Sequence, residues 1–177
     1  MTLHLVRHGL PVIDPDCPAA EWELDPAGFD DIWSLRESGR LPHRAAWFCS
    51  PEPKAQQTAQ LLTDGAVGII EELREQERAV TPWVEDRDEW HAVITRVFTH
   101  PAESALPGWE PLDVTRERLL PAVRRILDAH GDEDVVLVGH GTAWTLLVAE
   151  LSGAEPDLAR WRSLAMPDVV TVPPALR

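Results

Sequence analysis

The strongest constraint on this chain is the run Val135-Val136-Leu137-Val138, which passes directly into Gly139-His140-Gly141 and then into a helical pattern. A strand that is apolar at every position, not at alternate ones, is buried on both faces. Strands of that kind sit in parallel sheets covered by helices on each side. Leu3 to Arg7, Ala45 to Cys49 and Ala66 to Ile70 are three further short apolar runs, and the chain closes on an apolar Val169 to Val172.

Helical periodicity falls between them. Gly28 to Arg40 places Phe29, Ile32, Trp33 and Leu35 at helical spacing, with Gly39 as a stop signal. Ser50-Pro51-Glu52-Pro53 reads as a helix start, because Ser caps and Pro is tolerated in the first turn; that helix should run to about Thr63. Glu71 to Asp88 lacks a clear period and reads as a loop with one helical turn. Glu89 to His100 carries Trp90, Val93, Ile94, Val97 and Phe98 on one face. Leu112 to His130 is the longest pattern, and Pro121 within it should kink or split it. Thr142 to Leu151 and a short stretch near Asp157 to Trp161 complete the set. Strands alternating with helices predict a three-layer α/β/α sandwich with a mostly parallel central sheet. At 177 residues, the default is a single domain over 1–177.

Charge narrows the partners. Acidic residues outnumber Lys plus Arg by 30 to 16, for a formal charge of −14. A phosphate backbone needs a basic surface, so no nucleic acid is expected. Anionic lipid is disfavoured for the same reason, and no apolar run approaches the ~20 residues that span a bilayer. The N-terminus lacks the basic and apolar regions of a signal peptide, and Cys17 and Cys49 are too few for a disulfide framework. The expectation is a cytoplasmic protein. Among the basic residues there is one Lys, Lys54.

In parallel α/β sheets, ligands sit beyond the C-terminal ends of the strands. Two such ends carry a His beside Gly: Arg7-His8-Gly9 after the first strand, and Gly139-His140-Gly141 after the strand at Val135. The second also opens a helix, whose first amides favour an anion. Together with Ser50-Pro51-Glu52-Pro53-Lys54-Ala55-Gln56-Gln57-Thr58-Ala59, Leu73-Arg74-Glu75 and Leu24-Asp25-Pro26-Ala27-Gly28, these segments resemble, in order and near spacing, the signature of the histidine phosphatase superfamily, the phosphoglycerate-mutase-like phosphatases. The resemblance covers nearly the whole chain.

It implies a cofactor-independent phosphatase that hydrolyses small phosphomonoesters through a phosphohistidine at His8. Such a transfer needs a nucleophile, a cationic cradle and an acid for the leaving alkoxide. His8 would attack phosphorus as neutral imidazole. Arg7, with its rigid fork, would hold two phosphate oxygens. Gly9 lets the backbone approach the phosphate, and His140 would donate to it. Lys54 stands where the family has Arg and should be a phosphate ligand. Glu75 matches the acid, with Glu72 and Glu77 as fallbacks in the same charged segment. His4 and His8 lie four apart, but without a third ligand nearby no metal is expected. Cys49 reads as small core filling. The implied partner is a small phosphorylated metabolite; the oligomeric state is left open. The resemblance also includes mutases, and a phospho-ligand binding module that has lost turnover is a third reading.

Several positions depart from the family pattern. Pro11 replaces a hydroxyl residue, Asp14 replaces Asn, and Gln76 to Trp83 has no Gly. Gly108-Trp109-Glu110-Pro111 lacks the usual Ser. The core site survives, and the rim should be less polar, with Trp109, Glu110, Trp83 and Trp90 as the residues that reach that region. For each Trp, plain core packing is the competing reading.

Overall fold

A computed structural model describes residues 1–172. Five strands form one sheet in the order β3-β2-β4-β1-β5. They are β1 (Leu3–Arg7), β2 (Ala46–Cys49), β3 (Val67–Ile69), β4 (Val135–Gly139) and β5 (Asp168–Val172). β1 pairs with β4, and β2 with β4 and β3, all parallel; β5 runs antiparallel along the outer side of β1. Each expected apolar run is therefore a strand, and Val169 to Val172 supplies the antiparallel edge.

Side chains alternate along a strand, so a sheet buried on both faces divides its apolar residues between two cores. Leu3, Leu5, Val135 and Leu137 face one core, packed against Ile94, Val97, Leu119, Val123 and Leu147. Val6, Val136 and Val138 face the other, against Ile32, Leu35, Ala59 and Leu62. α1 (Phe29–Glu37) and α2 (Pro53–Leu62) cover this second face. α3 (Arg87–Thr99), α4 (Leu112–Ala129) and α5 (Gly141–Ser152) cover the first, and α6 (Leu158–Ser163) packs beside α5. The result is the expected three-layer α/β/α sandwich.

Two local expectations need correction. α4 does not split at Pro121. Pro121 and Glu117 both lie on the exposed side of the helix, so the Glu117 carbonyl that loses its N–H partner faces water. Ser50 does not cap α2. The residue at the cap is Glu52, with no side-chain cap bond, and Ser50 turns inward instead.

The topology fixes the site. β1 and β4 are adjacent and parallel, with Arg7 level with Gly139. Their C-terminal ends thus deliver His8 and His140 to the same edge. Gly139 has to be Gly, because a Cβ there would stand 2.5 Å from the Trp144 ring. Trp144 is in turn pinned to β1 by its indole N–H, which donates to the Val6 carbonyl at 2.8 Å.

Candidate active site

His8 and His140 meet edge to face, with ring centroids 5.3 Å apart and an interplanar angle of 61°. Both are buried. His8 Nδ1 lies 2.7 Å from the Gly9 carbonyl. That carbonyl only accepts, so Nδ1 carries the hydrogen and the lone pair is left on Nε2. The Gly9 N–H donates to Thr58 Oγ1 at 2.9 Å, which locks the turn after β1 onto α2. Burial, reinforced by His140, Lys54 and Arg7, holds the His8 imidazole well below its ordinary pKa, so it is neutral near pH 7.

His140 is held from its other nitrogen. Nε2 lies 2.8 Å from Ser50 Oγ and 3.3 Å from Glu52 Oε1. Its Nδ1 is buried and has no hydrogen-bond partner among the described residues. Burial, then the nearby Lys54, lowers the His140 pKa well below the usual value, with Glu75 pulling the other way. Arg7 donates from Nη1 to the Leu164 carbonyl at 2.7 Å, and its Nε is likewise buried without a partner. Two unpaired buried donors or acceptors, Arg7 Nε and His140 Nδ1, thus stand at the ends of adjacent strands.

Glu75 is the carboxylate that the fold brings to this edge. Its carboxylate lies over the N-terminus of α5, accepting from Thr142 N at 3.0 Å and Ala143 N at 2.9 Å. The segment carrying it is tied to α4: Arg118 donates to the carbonyls of Glu72, Arg74 and Glu75 at 2.7–2.9 Å. Glu72 and Glu77 stand apart from this geometry. Glu72 pairs with Arg125, and Glu77 is exposed.

Lys54 acts electrostatically on both histidines, its charge disfavouring their protonated forms. Its ammonium, however, is engaged by the Glu52 carboxylate and the Ala19 carbonyl, and it is only 4% exposed. Sequence reasoning missed Glu52. Its Oε1 also accepts from the Glu75 N–H at 2.7 Å. One buried carboxylate thus links Lys54, His140 and the segment that carries Glu75. The available signal was a carboxylate at the helix start two positions before Lys54, but its other partners lie 23 and 88 positions away in sequence.

The whole chain bears the same relationship as its parts. Residues 3–172 match the model of the histidine phosphatase superfamily (branch 1). The chain belongs to that superfamily. An uncharacterized phosphatase, PhoE, of Bacillus subtilis strain 168 is 25% identical over 174 residues, covering 89% of this chain and 81% of that protein. A phosphoglycerate mutase from Bacillus anthracis superposes with a TM-score of 0.76 at 18% identity, over 97% of this chain and 86% of that one. A mycobacterial glucosyl-3-phosphoglycerate phosphatase gives 0.74 at 19% identity, over 96% and 88%.

Against that superfamily background, the segments that depart from its pattern take unequal places. Trp109 is buried at 4% exposure, and its ring contacts Trp90 with centroids 5.6 Å apart. Glu110 accepts from Arg118 at 2.8 Å and from the Thr115 hydroxyl, so it serves the same brace that holds Glu75. Trp83 is the exposed one, at 44%, and meets Trp22 with ring centroids 6.1 Å apart. Pro11 pairs with Leu24 across an isolated bridge, which closes the loop after β1. Cys49 is buried, and burial raises its thiol to about 11, the state of an inert core residue. Among the described residues, no three or more His, Cys, Asp or Glu are grouped to hold a metal ion, and no helix is long and apolar enough to cross a membrane.

Proposed function

We propose that the protein is a phosphatase that hydrolyses small phosphomonoesters through a phosphohistidine on His8. The observation that carries this reading is the His8 imidazole: neutral by burial, with Nδ1–H held by the Gly9 carbonyl and Nε2 left nucleophilic beside His140. Nε2 attacks phosphorus and the P–O bond to the leaving group breaks. Arg7 and His140 Nδ1 supply the donors for the phosphoryl oxygens, where charge develops. Glu75 gives a proton to the leaving oxygen. Its carboxylate then takes a proton from water, which attacks phosphorus, breaks the P–N bond and releases inorganic phosphate.

Lys54 contributes its charge to the cradle in a pair with Glu52, and the side chains provide the positive charge the reaction needs. p-Nitrophenyl phosphate with chelator present is the direct assay. Turnover by the wild type, lost in His8→Ala, is the expected result. Tight binding of phosphate without turnover would assign the chain to a ligand-binding role, and transfer of the phosphoryl group to a second acceptor in preference to water would assign it to the mutases.

A further inference from the structure

Among the described residues, one hydrogen bond fixes the Arg7 guanidinium: Nη1 donates to the Leu164 carbonyl at 2.7 Å. Its Nε is buried without a partner, and a Cβ at Gly141 would stand 3.4 Å from that nitrogen, so the side chain lies against the start of α5. The aim of Arg7 therefore depends on where Leu164 sits. Leu164 follows α6, and residues 165–167 join it to β5 outside any helix or strand. A link of that kind is placed by its side-chain bonds, not by a ladder.

Asp168 supplies those bonds. It opens β5 and stands directly opposite Arg7 in the antiparallel pair, so the two side chains share a face of the sheet. Its Oδ1 accepts from the Val169 N–H at 2.8 Å and from Arg40 Nη2 at 2.9 Å, and the same Nη2 reaches the Val169 carbonyl at 3.2 Å. Burial works against the charge of Asp168, but Arg40 and the amides of Val169 and Ala165 outweigh it and hold the carboxyl below its ordinary value. Ala165 and Val169 flank the link, so one carboxylate grips both its ends. Burial also weakens the charged form of Arg7; Glu75 and Asp168 favour that form and Arg78 opposes it. We infer that Asp168, clamped by Arg40, is a positioning residue for Arg7: it fixes the 164–168 turn, so that the Leu164 carbonyl holds one arm of the guanidinium and Nε stays free for a phosphoryl oxygen. The inference rests on the reading of Arg7 as a phosphate ligand. Arg40 is half exposed, and an ion pair of that kind adds little to stability, so its effect belongs to the geometry of the turn.

The sign of one substitution tests this. Removing a negative charge beside an anion site strengthens anion binding if charge alone is at work. Removing a positioning group weakens it. Inorganic phosphate, titrated by calorimetry, should bind Asp168→Ala about tenfold more weakly than the wild type, the scale of one charge-assisted hydrogen bond. Asp168→Asn, which keeps an acceptor for the two amides, and Arg40→Met, which loosens the clamp from its exposed side, should each lose less. In an Arg7→Met background, Asp168→Ala should cost nothing further, because it acts through Arg7. Phosphate binding that is unchanged or tighter in Asp168→Ala while Arg7→Met weakens it overturns the inference, and so does an equal loss in both backgrounds. The Arg7 Nε–H signal in ¹⁵N NMR, assigned by its absence from Arg7→Met, reads the geometry without a ligand. It should shift or broaden in Asp168→Ala and in Arg40→Met; a signal unmoved in both also overturns the inference. If Asp168→Ala does not fold, Arg40→Met carries the same readouts. If Arg7→Met binds phosphate as the wild type does, the phosphate reading of Arg7 falls, and the NMR signal alone decides whether Asp168 positions it.

Discussion

His8 and His140 were legible in the chain because each stands beside Gly at a strand end, where sequence and topology coincide, and Arg7 because it directly precedes His8. Glu52 was not legible, because its meaning lies in who it touches. With Glu52 and Lys54 both about 5% exposed in their side chains, removing one partner strands a buried charge. Lys54→Met should lower unfolding free energy by ~3–5 kcal/mol, and Glu52→Gln with Lys54→Met should recover most of that. Urea denaturation of the three variants reads this directly. If the double variant were no more stable than Lys54→Met, the pair would not be a unit. The same set separates the roles of Lys54 in catalysis. A tenfold loss in kcat/KM for Lys54→Met that the double variant rescues assigns Lys54 to neutralising Glu52; a loss that is not rescued assigns it to the phosphate. Glu75 has its own signature. Glu75→Gln should slow alkyl phosphates by ~10²–10⁴-fold, the range for general acid catalysis, and aryl phosphates with acidic phenols far less. Equal losses for both would remove Glu75 from the leaving group.

The elements explain why these residues meet. β1 and β4 run side by side in register, and each ends in a His that the next turn cannot carry away. The pattern of five apolar runs separated by helices was enough to expect this sheet. The strand order was not in the pattern, because β4 inserts between β2 and β1 by pairing Val135 with both Ala46 and Leu3, residues far from it in sequence. Pro121 shows another limit: a residue that breaks buried helices is tolerated in α4 because its lost acceptor faces solvent. The tightest joint is Gly139 against Trp144. Gly139→Ala should cost about 1–3 kcal/mol by forcing the indole and β4 apart. It should also reduce turnover, since His140 follows directly. An unchanged urea midpoint would mean that Trp144 has room to shift. The acid-bearing segment, Glu71 to Glu75, had no period to read; it is placed by Arg118 and by the amides of α5, which are tertiary contacts.

Across the whole molecule, a chain with a net charge of −14 gathers Arg7, Lys54, Arg78 and Arg118 around one strand edge. That arrangement admits a small anion where a large polyanion would be repelled. It also sets the acid limit of stability. Burial keeps His8 and His140 neutral in the folded state, well below their ordinary value of 6.5, whereas the unfolded chain protonates both at that value. In the window below 6.5 the unfolded state therefore binds more protons, so stability is full above it and is lost as pH falls. Urea midpoints measured between pH 8 and pH 5 should drop, and His140→Asn should show a shallower drop; an identical slope in that variant would contradict the assignment. The central claim is the covalent bond to His8, and rapid quench with a ³²P-labelled phosphomonoester tests it most directly. The label should appear on the protein within the first turnover, survive alkali, be lost in acid, and be absent from His8→Ala. A label that survives acid, or that remains on His8→Ala, would contradict it.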